Sequence, residues 1–231
     1  MKTPPKRIIL LLTLIIVCIC DVFVTVSVSK NLLDNDTSGE MLLSKCLYDE
    51  CSLVCPDWSY ATEVRIANQL IFAPLFGLFS NWETVRIIGT LIIQVILLSS
   101  FIFMLKSVPL KSESILLGCS LLLLPYCVAY GRVVLYHSYY ALYIALIFLM
   151  CGLLFKILNC QRPVFYSILF WIFCMIGCLN GIRIVFIGII PICVLTFWTF
   201  LRTQNKKLLG VTLLCGTSGI IGFLLCTFVI R

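Results

Sequence analysis

The chain has 231 residues, of which 61% are hydrophobic and only 12% charged, with a net charge of +7. Its mean hydropathy of +1.12 excludes a water-soluble enzyme or nucleic-acid-binding domain and puts it among polytopic membrane proteins, with the lipid bilayer as first partner and no nucleic acid expected.

Apolar runs fall at 8–28, 66–80, 87–105, 114–130, 139–158, 164–179, 184–201 and 208–230. Most approach the roughly 20 residues that a helix needs to cross a bilayer. The first run follows "KTPPKR" and has the form of a signal peptide, with Ser27 and Ser29 as small residues near a cleavage site. Its apolar stretch resumes after Asp21 as "VFVTVSV", so a retained span is the expectation. The run 66–80, "IANQLIFAPLFGLFS", is short and interrupted by Pro74 and Gly77, which suits a re-entrant or interfacial segment.

Charge then sets the topology. If 66–80 does not cross, Lys2, Lys6, Arg7, Lys106, Lys111, Lys156, Arg162, Arg202, Lys206 and Lys207 share one side with a single acid, Glu113. The positive-inside rule makes that side cytoplasmic. The expected fold is all-α, a polytopic transmembrane helix bundle of about seven spans (8–28, 87–105, 114–130, 139–158, 164–179, 184–201 and 208–230) forming one membrane domain over 1–231. Its N-terminus is cytoplasmic, its C-terminus outside, and its location the cell membrane. The outer loop, 29–86, carries short juxtamembrane helices and the non-crossing segment.

Of the fourteen cysteines, eleven lie in or beside apolar runs, where cysteine acts as a small hydrophobe. Cys46, Cys51 and Cys55 lie in the polar loop; a trio cannot fully pair, and a single histidine argues against a zinc site. Glycine-rich phosphate loops, H-E-x-x-H and C-x-x-C are absent.

The loop opens with "LLDNDTSGEMLLSK", where Asp34 and Asp36 flank Asn35, and Thr37 or Ser38 can cap a helix with Glu40 in its first turn. This stretch reads either as a well-charged helix start or as a membrane-surface active site. Other outer turns add Asp57, Glu63 and Arg65, then Trp82, Glu83 and Arg86, then Arg132, His137, Tyr139 and Tyr140, and lastly Arg183. Singly these suit interfacial anchors; together they suit an anion. Asp21 lies within the first span, where an acid is costly; it either pairs with Arg132 or Arg183 or stands beside a lipid phosphate.

The order of parts resembles the membrane-embedded GT-C glycosyltransferase superfamily. It is carried by the acidic "DNDTSGEML" after span one, the non-crossing "ANQLIFAPLFGLFSNW", and "TVRIIGT" leading into span two. "WSYATEVRIANQLIFAPLF", "WETVRIIGT" and "LNGIR" are also similar to stretches in uncharacterised multi-pass membrane proteins of gut Firmicutes. Members of the superfamily typically have more spans, often followed by a soluble domain, whereas this chain stops after its seventh expected span.

The resemblance implies transfer of a sugar from a polyprenyl-phosphate donor to an acceptor at the outer face. Catalytic carboxylates would come from Asp36, the favoured base, with Asp34 and Glu63 assisting; Arg183, favoured, with Arg86, Arg65 and Arg132 would bind phosphate. Asp21, His137 and Tyr140 would line the substrate pocket. Asp34 and Glu63 offer oxygen ligands for magnesium or manganese, without deciding metal dependence. The alternatives are a non-catalytic accessory subunit or fragment of that fold, needing a partner membrane subunit, or a small transporter or flippase.

Overall fold

The structure, a computed structural model, describes residues 5–31, 34–55, 58, 68–159, 163–179 and 182–228. Among these the protein is all-α, with no strand. The helices are α1 (Pro5–Asn31), α2 (Asn35–Asp49), α3 (Gln69–Leu75), α4 (Trp82–Lys106), α5 (Ser112–Leu123), α6 (Val128–Tyr136), α7 (Ala141–Asn159), α8 (Pro163–Leu179), α9 (Ile182–Thr203) and α10 (Lys206–Phe228). Asp57, Glu63, Arg65 and Arg162 lie outside the described residues.

Five helices, α1, α4, α7, α9 and α10, are long and apolar enough to cross a membrane. Their exposed faces are apolar, as at Ile16 (60% exposed) and Phe23 (74%) on α1, an arrangement that lipid rewards and water penalises. The protein is therefore a multi-pass membrane protein. The span expected at 114–130 is instead broken: α5 and α6 meet at 87°. Pro125 explains the break. A residue before proline is pushed out of the helical region, and Leu124 is extended, with ψ 123°. Helix α8, at 17 residues, is shorter than the other apolar spans. Seven straight spans thus become five, or six counting the bent pair.

The chain forms two compact units, one from Met1–Trp58 with Ala67–Ala145, the other from Ser59–Ile66 with Leu146–Arg231. In the first, α1 packs on α5 and α4, and α3 joins α2 to α4. Thr37, Met41, Ser44 and Leu47 recur every three or four residues of α2 and form its buried stripe. Gly89 of α4 lies under the Phe72 ring of α3, close enough that a Cβ there would overlap the ring. On α1 the small polar residues Thr25 and Ser29 continue the face of Asp21 at four-residue spacing, and all three are buried. In the second unit, α10 packs along α8 and α9, with Gly222 against the Met175 backbone.

Candidate functional site

The site grows from the start of α2. Asp34, extended at ψ 173°, caps the helix: its Oδ1 accepts from the Thr37 N–H at 2.9 Å, and Thr37 Oγ1 accepts from the Asp34 N–H at 3.1 Å. This reciprocal box satisfies two donors that a helix start leaves open. It corrects the expectation of a Thr37 or Ser38 cap. The helix begins earlier, and the acid in its first turn is Asp36, with Glu40 further along.

The other side of the Asp34 carboxylate is taken by the segment after the broken span. Arg132 Nη2 donates to Asp34 Oδ2 at 2.7 Å, His137 Nδ1 lies 3.2 Å from the same oxygen, and the Tyr139 hydroxyl donates to Oδ1. Local backbone geometry brings these together. Residues Gly131–Tyr136 form a π-helical turn, and the His137 N–H donates to the Arg132 carbonyl five residues back. A wide turn puts residues five apart nearly in line, so Arg132 and His137 reach one carboxylate. Such turns interrupt helices most often where side chains must be re-aimed.

Burial alone would raise the Asp34 pKa, but hydrogen bonds from Thr37, Tyr139 and Arg132 win and hold the carboxyl well below the usual range. His137 is buried, which lowers its pKa and favours the neutral imidazole; nearby Arg86 and Arg132 push the same way, against the attraction of Asp34. Burial also raises the Tyr139 hydroxyl, and its bond to Asp34 adds to this, so it stays a donor.

A cavity of about 550 Å³ adjoins this cluster. Its polar walls are Asp34, Arg132, Tyr136 and His137, while Val24, Val28, Pro125 and Val128 supply most of the apolar surface. A smaller cavity of about 330 Å³ lies between α1, α2 and α4, where Arg86 meets Ser38, Trp82 and Glu83. Arg86 is buried beneath it. Glu40 of α2 is half-buried, within hydrogen-bonding reach of Asn68, and burial pushes it up to about 8. Asn68 also donates to the Ser138 carbonyl at 3.1 Å, tying α3 to the segment that carries His137 and Tyr139.

The candidates thus divide. Asp34, Arg132 and His137 come together around the larger cavity. Asp36 is exposed and does not line it, and neither Asp21 nor Tyr140 does; Tyr140 stacks obliquely on Tyr143. Asp21 is buried without an ion pair among the described residues, because Arg132 pairs with Asp34 instead. Arg183 belongs to the other compact unit. Glu63 and Arg65, expected to assist catalysis and bind phosphate, fall outside the described residues. Both Asp34 oxygens already accept from protein donors, so the carboxylate is poorly placed to hold magnesium or manganese. Among the described residues the group able to gather around a metal is Cys46, Glu50 and Cys55. Asn68 was not expected at the site, where the polar pair in "ANQLIF" was the available signal, and Glu40 was expected only as an acid of the helix that opens the outer loop. Comparison with family models, with curated proteins and with solved structures gives no match, so the chemistry of this site rests on its own residues.

Proposed function

We propose that the protein is a GT-C-like membrane glycosyltransferase that moves a sugar from a polyprenyl phosphate to an acceptor hydroxyl at the outer face of the membrane. The observation that carries this reading is the Asp34, Arg132 and His137 cluster on the wall of an otherwise apolar cavity. An apolar cavity suits an isoprenoid chain, and a guanidinium suits its phosphate. With the α1 to α4 loop placed outside by the charge bias, the cluster stands at the outer membrane surface.

In the resting protein Asp34 is a weak base, because Arg132 and Tyr139 stabilise its charge. An incoming phosphate competes for Arg132, which is 57% exposed and able to turn toward it. Loss of that donor raises the Asp34 pKa at the moment a base is needed. The acceptor hydroxyl then gives its proton to Asp34 as its oxygen bonds to the anomeric carbon. The carbon to phosphate-oxygen bond breaks, and polyprenyl phosphate leaves against Arg132. His137 keeps the carboxylate aimed. On this reading Asp34 replaces Asp36 as the favoured base.

The bent α5 and α6 pair favours a second reading, a flippase or transporter, since such proteins bind at broken helices. One experiment separates the readings. Purified protein is given a polyprenyl-phosphate sugar and an acceptor, and free polyprenyl phosphate is followed. Release that stops with Asp34→Asn supports transfer. Protein that moves the lipid across vesicles without cleaving it supports the flippase, and binding without either outcome supports an accessory subunit.

A further inference from the structure

Helix α2 ends by folding the chain back on itself. Cys51 takes the left-handed conformation, φ 48°. Its N–H donates to the Tyr48 carbonyl at 3.2 Å, and the Ser52 N–H donates to the Leu47 carbonyl at 3.1 Å. Together these bonds form a Schellman ending, which satisfies terminal carbonyls and reverses the chain. Ser52 pins the return: its hydroxyl donates to the Val54 carbonyl at 2.7 Å and accepts from the Val54 N–H at 3.2 Å. Cys55 therefore arrives, buried, beside the last turns of α2, with its Sγ 2.7 Å from Cys46 Sγ. Glu50 Oε1 lies 3.3 Å from the first sulfur and 3.5 Å from the second.

Such a group suits a metal ion or a covalent bond, and distance decides between them. Two thiolates on one tetrahedral zinc stand about 3.8 Å apart, given Zn–S bonds of about 2.3 Å. Sulfurs at 2.7 Å are too close for that and nearer to the bonded separation of about 2.05 Å.

We propose that Cys46 and Cys55 form a disulfide that staples the end of α2 to the segment returning from it, with Cys51 left as a thiol. The bond forms by exchange with a disulfide oxidant. One cysteine sulfur attacks the oxidant, giving a mixed disulfide, and the second cysteine displaces the remaining half. Two electrons pass to the oxidant, which leaves as two thiols carrying the two protons. The inference rests on the outward placement of this loop, because disulfides persist in oxidising compartments.

The test uses the full chain in its own membranes. Intact cells are first treated with a membrane-impermeant maleimide, which marks the exposed Cys51 if the loop is outside. The protein is then denatured, alkylated without reductant and digested. Trypsin leaves Cys46, Cys51 and Cys55 in one peptide, residues 46–65. The expected peptide carries one modified cysteine and lacks two hydrogens; reduction first gives three modified cysteines. Cleavage after Glu50 leaves its halves joined, and Cys51→Ser keeps the bond. Three modified cysteines without reductant overturn the staple, as does a bond that Cys51→Ser abolishes or a pair shielded only until zinc is chelated. Cys51 marked in intact cells alongside an unbonded pair refutes the staple alone. Cys51 marked only after permeabilisation refutes the outward placement, and the mass of the peptide still decides the staple.

Discussion

Arg132 Nη2 rests 2.7 Å from Asp34 Oδ2 across 98 positions of sequence, joining the π-helical turn of α6 to the cap of α2. Because the arginine is 57% exposed, solvent screens the pair and it contributes little to stability. Its effect is local: it helps to hold the Asp34 carboxylate charged beside the larger cavity.

Asp34→Asn should leave the fold intact, since asparagine caps a helix as well as aspartate does. Transfer should fall by about 10²–10⁴-fold, the usual contribution of a positioned base. Asp36→Asn should change it less than about twofold, because Asp36 is exposed and away from the cavity. Initial rates of polyprenyl phosphate release give the comparison; equal losses in the two variants would remove Asp34 from its assigned role.

Glu40 gives the fold a pH dependence of known sign. Burial raises its pKa to about 8, against the Asn68 hydrogen bond and the Arg86 charge, while Asp34 and Asp36 add to the rise. A raised folded pKa contributes stability that is complete below the unfolded value of about 4.3 and is lost as pH climbs through the folded one. Glu40→Gln removes this loss. The melting temperature of the variant in detergent should therefore gain on the parent steadily from about pH 5 to about pH 8, and a constant difference would contradict the assignment.

Gly89→Ala should destabilise the first unit by about 1–3 kcal/mol, the cost of overpacking a close contact. The added methyl meets the Phe72 ring, which is only 2% exposed and has little room to withdraw. Combining it with Phe72→Leu should recover part of the loss. Thermal unfolding of the two single variants and the double variant closes the cycle, and strict additivity would mean that the two positions do not touch.

Asp21 is 6% exposed, and its Oδ1 has no hydrogen-bond partner among the described residues. A polar group buried this way costs about 1–3 kcal/mol. Asp21→Leu should accordingly raise stability, whereas Asp21→Asn, which keeps a polar group there, should gain little. A fall in melting temperature for the leucine variant would point to a partner that stabilises the carboxyl in the membrane.

The membrane class and the helical fold were legible because they follow from composition and from the length of apolar runs. The break at Pro125 was harder to read. Hydropathy is continuous across "LLLLPYCVAY", and a proline can kink a helix or end it; the extended Leu124 and the 87° bend show that here it ends one. The same limit explains the shift from Asp36 to Asp34. Two acids two residues apart look alike until the helix start is fixed, and it was the Thr37 box that fixed it. The Arg132 and His137 pairing was hidden because it depends on a π-helical turn, which leaves no periodicity of its own in a short apolar segment.

The broken span also bears on how the chain enters the bilayer during synthesis. Helix α5 has 12 residues, about 18 Å at 1.5 Å per residue, against a hydrocarbon core of about 30 Å. Protein donors satisfy carbonyls on both sides of the break: Tyr130 of α6 donates to the Leu122 carbonyl in the last turn of α5, and Gln94 of α4 donates to the Leu135 carbonyl in the π-helical turn at 3.0 Å. Lipid offers neither. Helix α5 alone is thus too short to cross, and α1 and α4, which precede it in the chain, pack against it. Its insertion is therefore expected to depend on those two conventional spans being in the membrane first.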